Sequence, residues 1–242
     1  MARSREGNVE LKRMLSRRGI EAGSVEAIGF EDPESWAAVD SAIANISRFD
    51  WVAFTSPRAV AAFGRRLKAL GMDAEELGPR FAAVGSKTES ALQEIGIEPE
   101  YVPSEFLTSA LGEGLPAKEG SRVLLMRADI GDRSLAESLG RRGIEVEEVA
   151  AYHTMFVPGP VESDLMRKAR VIAFASPSEV EGFRRRLGRS EFRELTGRAT
   201  AACIGPVTAR AASRAGFRSV VFAKEHTLEA LAEKIGEMMV DA

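Results

Sequence analysis

The sequence predicts an α/β protein made of two similar parallel-sheet lobes of the flavodoxin or Rossmann type, joined by a two-stranded linker. Two observations support this fold class. Short apolar segments alternate with longer helical segments, which is the pattern of βαβ units and of a parallel sheet. Stretches of the chain also resemble one another at fixed offsets, so one fold unit occurs twice.

The duplication has two registers. At an offset of 120 residues, FTSP at 54–57 recurs as FASP at 174–177. At an offset of 124 residues, RRGIE at 17–21 recurs at 141–145. The matched glycine, proline and serine residues require the same turns and helix caps, so the two copies should agree in local structure as well as in residue identity.

The predicted elements follow in chain order from apolar runs, which give strands, and from capped periodic segments, which give helices. The first repeat contains strand 51–55, helix 57–70, strand 81–85, helix 86–95, strand 99–102, helix 106–114, strand 122–127 and helix 132–142. The second repeat contains strand 171–176, helix 177–187, strand 199–205, helix 206–215, strand 219–223 and helix 227–239. A further helix over 8–18 matches helix 132–142 in the second register.

The two registers also predict the domain boundaries. One lobe is continuous over residues 35–145, and the other is discontinuous, formed by 1–23 together with 157–242. The linker strands are 24–34 and 146–156. Because few segments connect the lobes, we expect relative motion between them and a functional site in the cleft that separates them.

The discontinuous lobe lacks most of its first strand. The apolar run 123–126 precedes Arg127, but only Met1 and Ala2 precede the matching Arg3. Either the natural start lies upstream or this lobe has a modified edge, and we favour the first explanation.

Composition excludes several function classes. The net charge of −3 attracts neither nucleic acid nor an anionic membrane. The single Cys203 forms no intramolecular disulfide, and His153 and His226 have no partners at metal-ligand spacing. The sequence has no dinucleotide fingerprint, Walker A loop, signal peptide or apolar span. We expect a cytoplasmic, soluble protein without a metal site.

Candidate ligand contacts lie where parallel strands end and helices begin, because ligands bind beyond the carboxyl ends of such strands. Free backbone N–H groups and the helix dipole favour carboxylates or phosphates there. The matched residues are Ser56, Pro57, Gly85, Ser86 and Thr88 in one lobe and Ser176, Pro177, Gly205, Pro206 and Thr208 in the other. Plain helix capping also explains each single Ser-Pro or Gly-Ser start, but two matched pairs favour a ligand site.

One asymmetry between the repeats concerns a phenol. Tyr152 lies over Ile28 in the second register, in the segment predicted to join the lobes. A strand tyrosine is usually a packing residue, but a phenol with a pKa near 10 stays protonated at neutral pH and can donate a proton to a leaving group. The adjacent His153 is expected on the opposite face of the strand.

At these residues the chain resembles the uroporphyrinogen-III synthase family. The likeness rests on four segments that occur in the same order over nearly the whole chain: FTSPRAV at 54–60, AVGSKT at 83–88, AYHT at 151–154 and IGPVTARA at 204–211. The short first strand before Arg3 is the departure from the family pattern.

The resemblance implies a cyclising lyase without a cofactor. Its substrate would be the linear tetrapyrrole hydroxymethylbilane, which loses water and closes through a spiro intermediate with inversion of its terminal ring. Tyr152 would assist loss of the hydroxyl. Ser56, Ser86, Thr88, Ser176, Ser178 and Thr208 would contact acetate and propionate groups, with Arg3 and Arg58 as further candidates. We also expect a monomer, because no exposed apolar stripe argues against one, and a transient contact with the enzyme that makes hydroxymethylbilane.

Three other functions stay open at this point. A two-lobed small-molecule binding protein would use the same helix starts without needing Tyr152. A glycosyl- or phosphosugar transferase would require a cluster of charged residues, which the sequence does not indicate. A tetrapyrrole-sensing regulator would need a DNA-binding extension, and none follows residue 242.

Overall fold

The computed structural model describes residues 1–105, 107–131, 133–161 and 163–240. The chain divides into two compact units. We call Glu31–His153 the continuous unit, and Met1–Phe30 together with Thr154–Ala242 the discontinuous unit. Both are α/β, and parallel pairing dominates their sheets, which confirms the predicted fold class.

The elements are numbered in chain order. The strands are β1 (Ala2–Arg3), β2 (Val25–Glu26), β3 (Ile28–Glu31), β4 (Trp51–Phe54), β5 (Arg80–Ala83), β6 (Arg122–Ala128), β7 (Glu145–Phe156), β8 (Val171–Phe174), β9 (Thr200–Cys203) and β10 (Ser219–Phe222). The helices are α1 (Arg5–Ser16), α2 (Ala37–Ala44), α3 (Pro57–Leu70), α4 (Ser86–Glu94), α5 (Thr108–Gly114), α6 (Ser134–Arg141), α7 (Ser163–Lys168), α8 (Pro177–Arg186), α9 (Arg189–Arg198), α10 (Pro206–Ala215) and α11 (Leu228–Val240). Short 3-10 turns span Ile46–Arg48 and Ala74–Glu76.

The continuous unit is organised around β4, which pairs with β5 on one side and with β6 on the other. Within this unit the strand order is β7-β6-β4-β5, and all four residues of β4 are buried. One face of the sheet packs against α2, α3 and α4, with Phe63 and Leu92 in its core. The other face packs against α5 and α6, with Leu111 and Leu139 in its core. We call these the α3 face and the α6 face.

The discontinuous unit contains a three-stranded sheet, β10-β9-β8, and the two-stranded pair β1–β2. Its largest core cluster contains four phenylalanines in edge-to-face contact, with ring centroids 5.7 to 6.3 Å apart. Such aromatic contacts add to the free energy gained by burying the rings. The second cluster joins α1 and α11 through Leu11, Leu15 and Leu231.

The strand pairing follows the duplication. Arg3 of β1 pairs with Glu26, as Arg127 of β6 pairs with Ala150 124 residues later. The strand that the sequence predicts to be largely missing is β1, which has two residues where β6 has seven. Residues 25–26, which lie within the predicted linker strand 24–34, pair with β1. The linker bounds 24–34 and 146–156 stay a prediction.

Other sequence-based expectations differ from the structure. The predicted strand 99–102 is reduced to a single bridge between Tyr101 and Ala82, whereas its repeat β10 is a full strand. Helices α2, α7 and α9 were not predicted. The predicted helix starts at 106 and 132 lie outside the described residues, and α5 and α6 are described from Thr108 and Ser134 onwards.

Two kinds of feature are absent from the described residues. None of the helices described combines the length and the apolar character that a membrane span requires. Within the same residues, no three or more His, Cys, Asp or Glu side chains come together in a way that could hold a metal ion.

Candidate functional site

The candidate site of the continuous unit lies at the carboxyl ends of β4 and β5, where α3 and α4 begin. Ser56 is the N-cap of α3, and its Oγ accepts a hydrogen bond from the backbone N of Ala59 at 3.2 Å. Proline at the first helical position has no N–H to leave unsatisfied, and its fixed φ suits the helix start. Gly85 precedes α4 in an extended conformation, so the first turn of α4 also presents backbone donors.

Tyr152 meets this helix start from β7. Its hydroxyl lies 3.1 Å from Ser56 Oγ, and the ring is half-buried against the core of the α3 face. Because Ser56 Oγ already accepts the Ala59 N–H, its own hydrogen can be donated to the phenol oxygen. The phenol is therefore joined, through one hydroxyl, to the positive end of the α3 dipole.

The electrostatic surroundings of Tyr152 act in both directions. Burial raises the pKa of the phenol, while the hydrogen bond with Ser56 and the charge of Arg58 lower it, and the charge of Asp129 raises it further. Burial is the largest of these effects, so the pKa of Tyr152 lies above its ordinary value. The phenol is fully protonated at neutral pH, and Ser56 and Arg58 stabilise the phenolate if the proton leaves.

The other predicted contacts of this unit differ in exposure. Arg58 and Ser86 are exposed and stand in the first turns of α3 and α4. Pro57 is also exposed. Thr88 is only 3% exposed, so its hydroxyl faces the protein interior and contributes to packing of the first turn of α4.

A histidine–carboxylate pair lies next to Tyr152 in sequence, just beyond the end of β6. His153 Nδ1 lies 2.9 Å from Asp129 Oδ2, and the backbone N of Asp129 donates to the carbonyl of Tyr152 at 3.1 Å. Analysis of the sequence did not identify Asp129, because its position depends on the pairing of two distant strands.

The discontinuous unit repeats the helix starts without the phenol. Ser176 caps α8 by accepting from the backbone N of Glu179 at 3.2 Å, and its Oγ lies 2.9 Å from that of Ser178. Gly205 precedes α10, where a Cβ would lie 2.6 Å from the ring of His226. Pro177 is exposed at the first position of α8, whereas Thr208 is 3% exposed, as buried as its repeat Thr88.

Arg3 lies in a buried ion pair. Its Nε is 3.2 Å from Glu179 Oε1, and its Nη1 donates to the carbonyl of Gly7 at 2.9 Å. The other carboxylate oxygen of Glu179 accepts from the backbone N of Ala175 at 2.5 Å. Burial raises the pKa of Glu179, and Arg3 opposes that rise. The guanidinium of Arg3 is therefore already paired with a carboxylate of the protein.

The internal duplication distinguishes Glu179 from its counterpart, although no motif pointed to this residue. In the offset of 120 residues, Glu179 lies over Ala59, so a carboxylate replaces a methyl group in the first turn of matched helices. Charged residues are seldom fully buried without a partner, which makes Arg3 the natural counterpart of this carboxylate.

Comparisons with known proteins identify one family. The family model described as "Uroporphyrinogen-III synthase HemD" matches residues 9–233. Uroporphyrinogen-III synthase of Synechococcus elongatus is 33% identical over 210 residues, which cover 82% of this chain and 79% of that protein. The chloroplastic uroporphyrinogen-III synthase of Oryza sativa is 28% identical over 250 residues, covering 99% of this chain and 80% of that protein.

Solved structures agree in fold. A mutant uroporphyrinogen III synthase from the extremely thermophilic bacterium Thermus thermophilus aligns over 100% of both chains with a TM-score of 0.69 and 19% identity. Uroporphyrinogen-III synthetase from Helicobacter pylori aligns over 89% of this chain and 92% of that chain, with a TM-score of 0.59 and 21% identity.

Proposed function

This chain belongs to the uroporphyrinogen-III synthase family, and we propose that it closes hydroxymethylbilane to uroporphyrinogen III with Tyr152 as the proton donor. Members of this family are cyclising lyases of tetrapyrrole biosynthesis, so the substrate is a tetrapyrrole. The observation on which the proposed role of Tyr152 rests is its contact of 3.1 Å with Ser56, the N-cap of α3.

The first chemical step requires a proton. The terminal hydroxyl of hydroxymethylbilane is a poor leaving group, because breaking its C–O bond would otherwise release hydroxide. In the proposed step, Tyr152 transfers its phenolic proton to this oxygen, the C–O electron pair moves to oxygen, and water departs from an azafulvene cation. The pyrrole carbon attacked last releases a proton on ring closure, which restores the phenol and balances the reaction.

The pKa of Tyr152 suits this role. Burial keeps the phenol protonated at neutral pH, so every enzyme molecule carries the proton before the substrate arrives. As negative charge develops on the phenol oxygen, the Ser56 hydroxyl and the charge of Arg58 stabilise it. The phenol is thus fully protonated before the reaction, and its proton becomes easier to transfer as Ser56 and Arg58 stabilise the phenolate that forms.

Substrate carboxylates are proposed to bind at the helix starts. The substrate is a polyanion and the protein has a net charge of −3, so attraction must come from local donors. The first turns of α3 and α4 supply backbone N–H groups, and Arg58 and Ser86 are exposed beside them. In the discontinuous unit, Ser178 and the start of α10 at Gly205 are the corresponding proposed contacts.

The buried candidates receive a different proposed role. Arg3, Thr88 and Thr208 are each 9% exposed or less, so they are proposed to hold the helix starts in place. Fixing these donors before binding removes part of the entropic cost of folding a flexible chain of four pyrroles into one pose. Such a pose favours the spiro route over direct closure.

Three further properties are part of the proposal. We propose that the protein acts as a monomer in the cytoplasm, that it needs no cofactor, and that it transiently contacts the enzyme that produces hydroxymethylbilane. A binding protein without catalysis is the competing function. It would use the same helix starts but would not depend on the phenol of Tyr152.

The deciding assay feeds freshly prepared hydroxymethylbilane to the protein and separates the type I and type III isomers after oxidation. We expect type III product from the wild type. Tyr152→Phe should lower its rate by about 10²–10⁴-fold, the usual contribution of a positioned general acid, with an unchanged unfolding midpoint. Only type I product from the wild type would refute the enzymatic proposal, whereas full activity of Tyr152→Phe would refute only the assignment of the proton donor.

A further inference from the structure

The side of the sheet on which Tyr152 lies is set by an irregularity in β7. Along the β6–β7 ladder, Arg127 pairs with Ala150, but the next residue, Ala128, pairs with Tyr152. Ala151 therefore has no partner in β6 and forms a β-bulge. Bulges are rare between parallel strands, and they commonly re-aim a side chain beside an active site.

The period of the strand shows what the bulge changes. Val146 packs in the core of the α6 face, so regular alternation would place residues 148, 150 and 152 on that face as well. Tyr152 instead packs in the core of the α3 face together with Val149 and Ala151. The extra residue has shifted the phase of the strand by one position between Ala150 and Tyr152.

The partner strand gives the same result independently. Leu124 and Met126 of β6 lie in the core of the α3 face, so Ala128 follows on that face by alternation. Residues that pair across a ladder share a face, which places Tyr152 on the α3 face as well. Ser56 caps the helix that packs on this face, so only this phase lets the phenol reach it.

We propose that the bulge at Ala151 is a positioning device for the reaction, because it turns Tyr152 from the α6 face to the start of α3. The device also places His153, the next residue, on the α6 face beside Asp129. Ala151 is 0% exposed and belongs to the core cluster against which Tyr152 packs. This inference rests on the proposed function only for its catalytic consequence, since the position of the phenol can be measured separately.

Two variants that remove the bulge should have opposite effects. Inserting one alanine between Arg127 and Ala128 gives Ala151 a partner and makes the ladder regular, which turns Tyr152 to the α6 face. Deleting Ala151 also makes the ladder regular, but it leaves Tyr152 opposite Ala128 on the α3 face. A purely structural role for Ala151 would make both variants equally harmful.

The position of the phenol is read spectroscopically. The chain has two tyrosines, so Tyr101→Phe leaves Tyr152 as the single phenol whose ionisation is followed by absorbance. In this single-tyrosine background the insertion should return the phenol pKa to about 10, its ordinary value, while the deletion should keep it raised. Type III formation should fall by about 10²-fold or more with the insertion, as for loss of the acid, and by only a few-fold with the deletion.

The outcomes are separable. A raised phenol pKa in the insertion variant, or loss of type III formation equally in both variants, would overturn the inference. If circular dichroism shows that the insertion variant does not fold, the variant that combines the insertion with the deletion of Ala151 tests the inference. The combined changes again place Tyr152 on the α3 face, so this variant should be active. A double variant that folds and is inactive would count against the device. If the wild type itself makes no type III product, the titrations still test the bulge while the proposed function fails.

Discussion

The ion pair of Arg3 and Glu179 leads to a quantitative prediction about stability. The two side chains are 11% and 5% exposed, so Arg3→Met leaves a carboxylate in the core without its counter-charge. Breaking one side of a buried pair typically costs about 3–5 kcal/mol. Since a domain is stable by only about 5–15 kcal/mol, this loss should be visible as a fall of roughly 1–2 M in the urea midpoint, given ordinary denaturant slopes.

The duplication provides a matched control. Arg127 is the repeat of Arg3 and pairs with Glu148 at 2.6 Å, but those side chains are 13% and 26% exposed. Water therefore still reaches the carboxylate when Arg127 is replaced by methionine, and the loss should be smaller, about 1 kcal/mol. Equal losses for Arg3→Met and Arg127→Met would refute the reasoning from burial.

The pH dependence supplies a second test of the same pair. Without Arg3 the pKa of Glu179 should rise further above about 4.3, the value in an unfolded chain. A group whose pKa is raised by folding contributes its stability below the unfolded pKa and loses it as the pH passes upward through the folded pKa. The deficit of Arg3→Met relative to the wild type should therefore be smallest below the unfolded pKa of about 4.3 and grow as the pH rises through the raised folded pKa of Glu179. A constant deficit would show that Glu179 is not its source.

Two further predictions concern the helix starts. Ser56→Ala and Ser176→Ala each remove a helix cap, so each should lower the free energy of unfolding in urea by about 1 kcal/mol. Only Ser56→Ala should raise the pKa of Tyr152 in the single-tyrosine background, because it removes the hydrogen bond that lowers this pKa. An equal pKa of Tyr152 in both variants would contradict the contact between Ser56 and Tyr152. Gly205→Ala should destabilise the protein by about 1–3 kcal/mol, because its Cβ would lie 2.6 Å from the His226 ring. His226→Ala should recover most of that loss in a double-mutant cycle, and additive losses would contradict the contact.

The sequence predicted those features that depend on local chemistry. The Ser-Pro pairs correctly indicated the N-caps of α3 and α8, because a hydroxyl followed by proline satisfies the first backbone donors. The matched Gly96 and Gly216 have φ values of 83° and 115°, a conformation in which a side chain is strained. These features are encoded within a few residues, and both copies of the repeat carry them.

Features that depend on distant pairing could not be predicted. The run VEEVAAYHT contains no residue that marks a bulge, since its position depends on where β7 meets β6. Strict alternation would have placed Tyr152 on the wrong face. Helix α9 was missed because only Phe192, Leu195 and Thr196 of its ten residues are buried, so its apolar period is weak.

The two repeats have diverged at one contact between helix and strand. In the discontinuous unit, a Cβ on Gly182 of α8 would lie 2.3 Å from the carbonyl oxygen of Ala27 and 3.0 Å from the side chain of Ile28. The matched residue of α3 is Ala62, which carries that Cβ, so an approach to its strand as close as that of α8 would produce a steric clash. Tyr152 stands in the place of Ile28. A methyl group on the helix and a phenol on the strand thus replace a glycine and an isoleucine. In the discontinuous unit the helix and the strand therefore meet through aliphatic packing. In the continuous unit the strand instead carries a titratable phenol beside the helix cap.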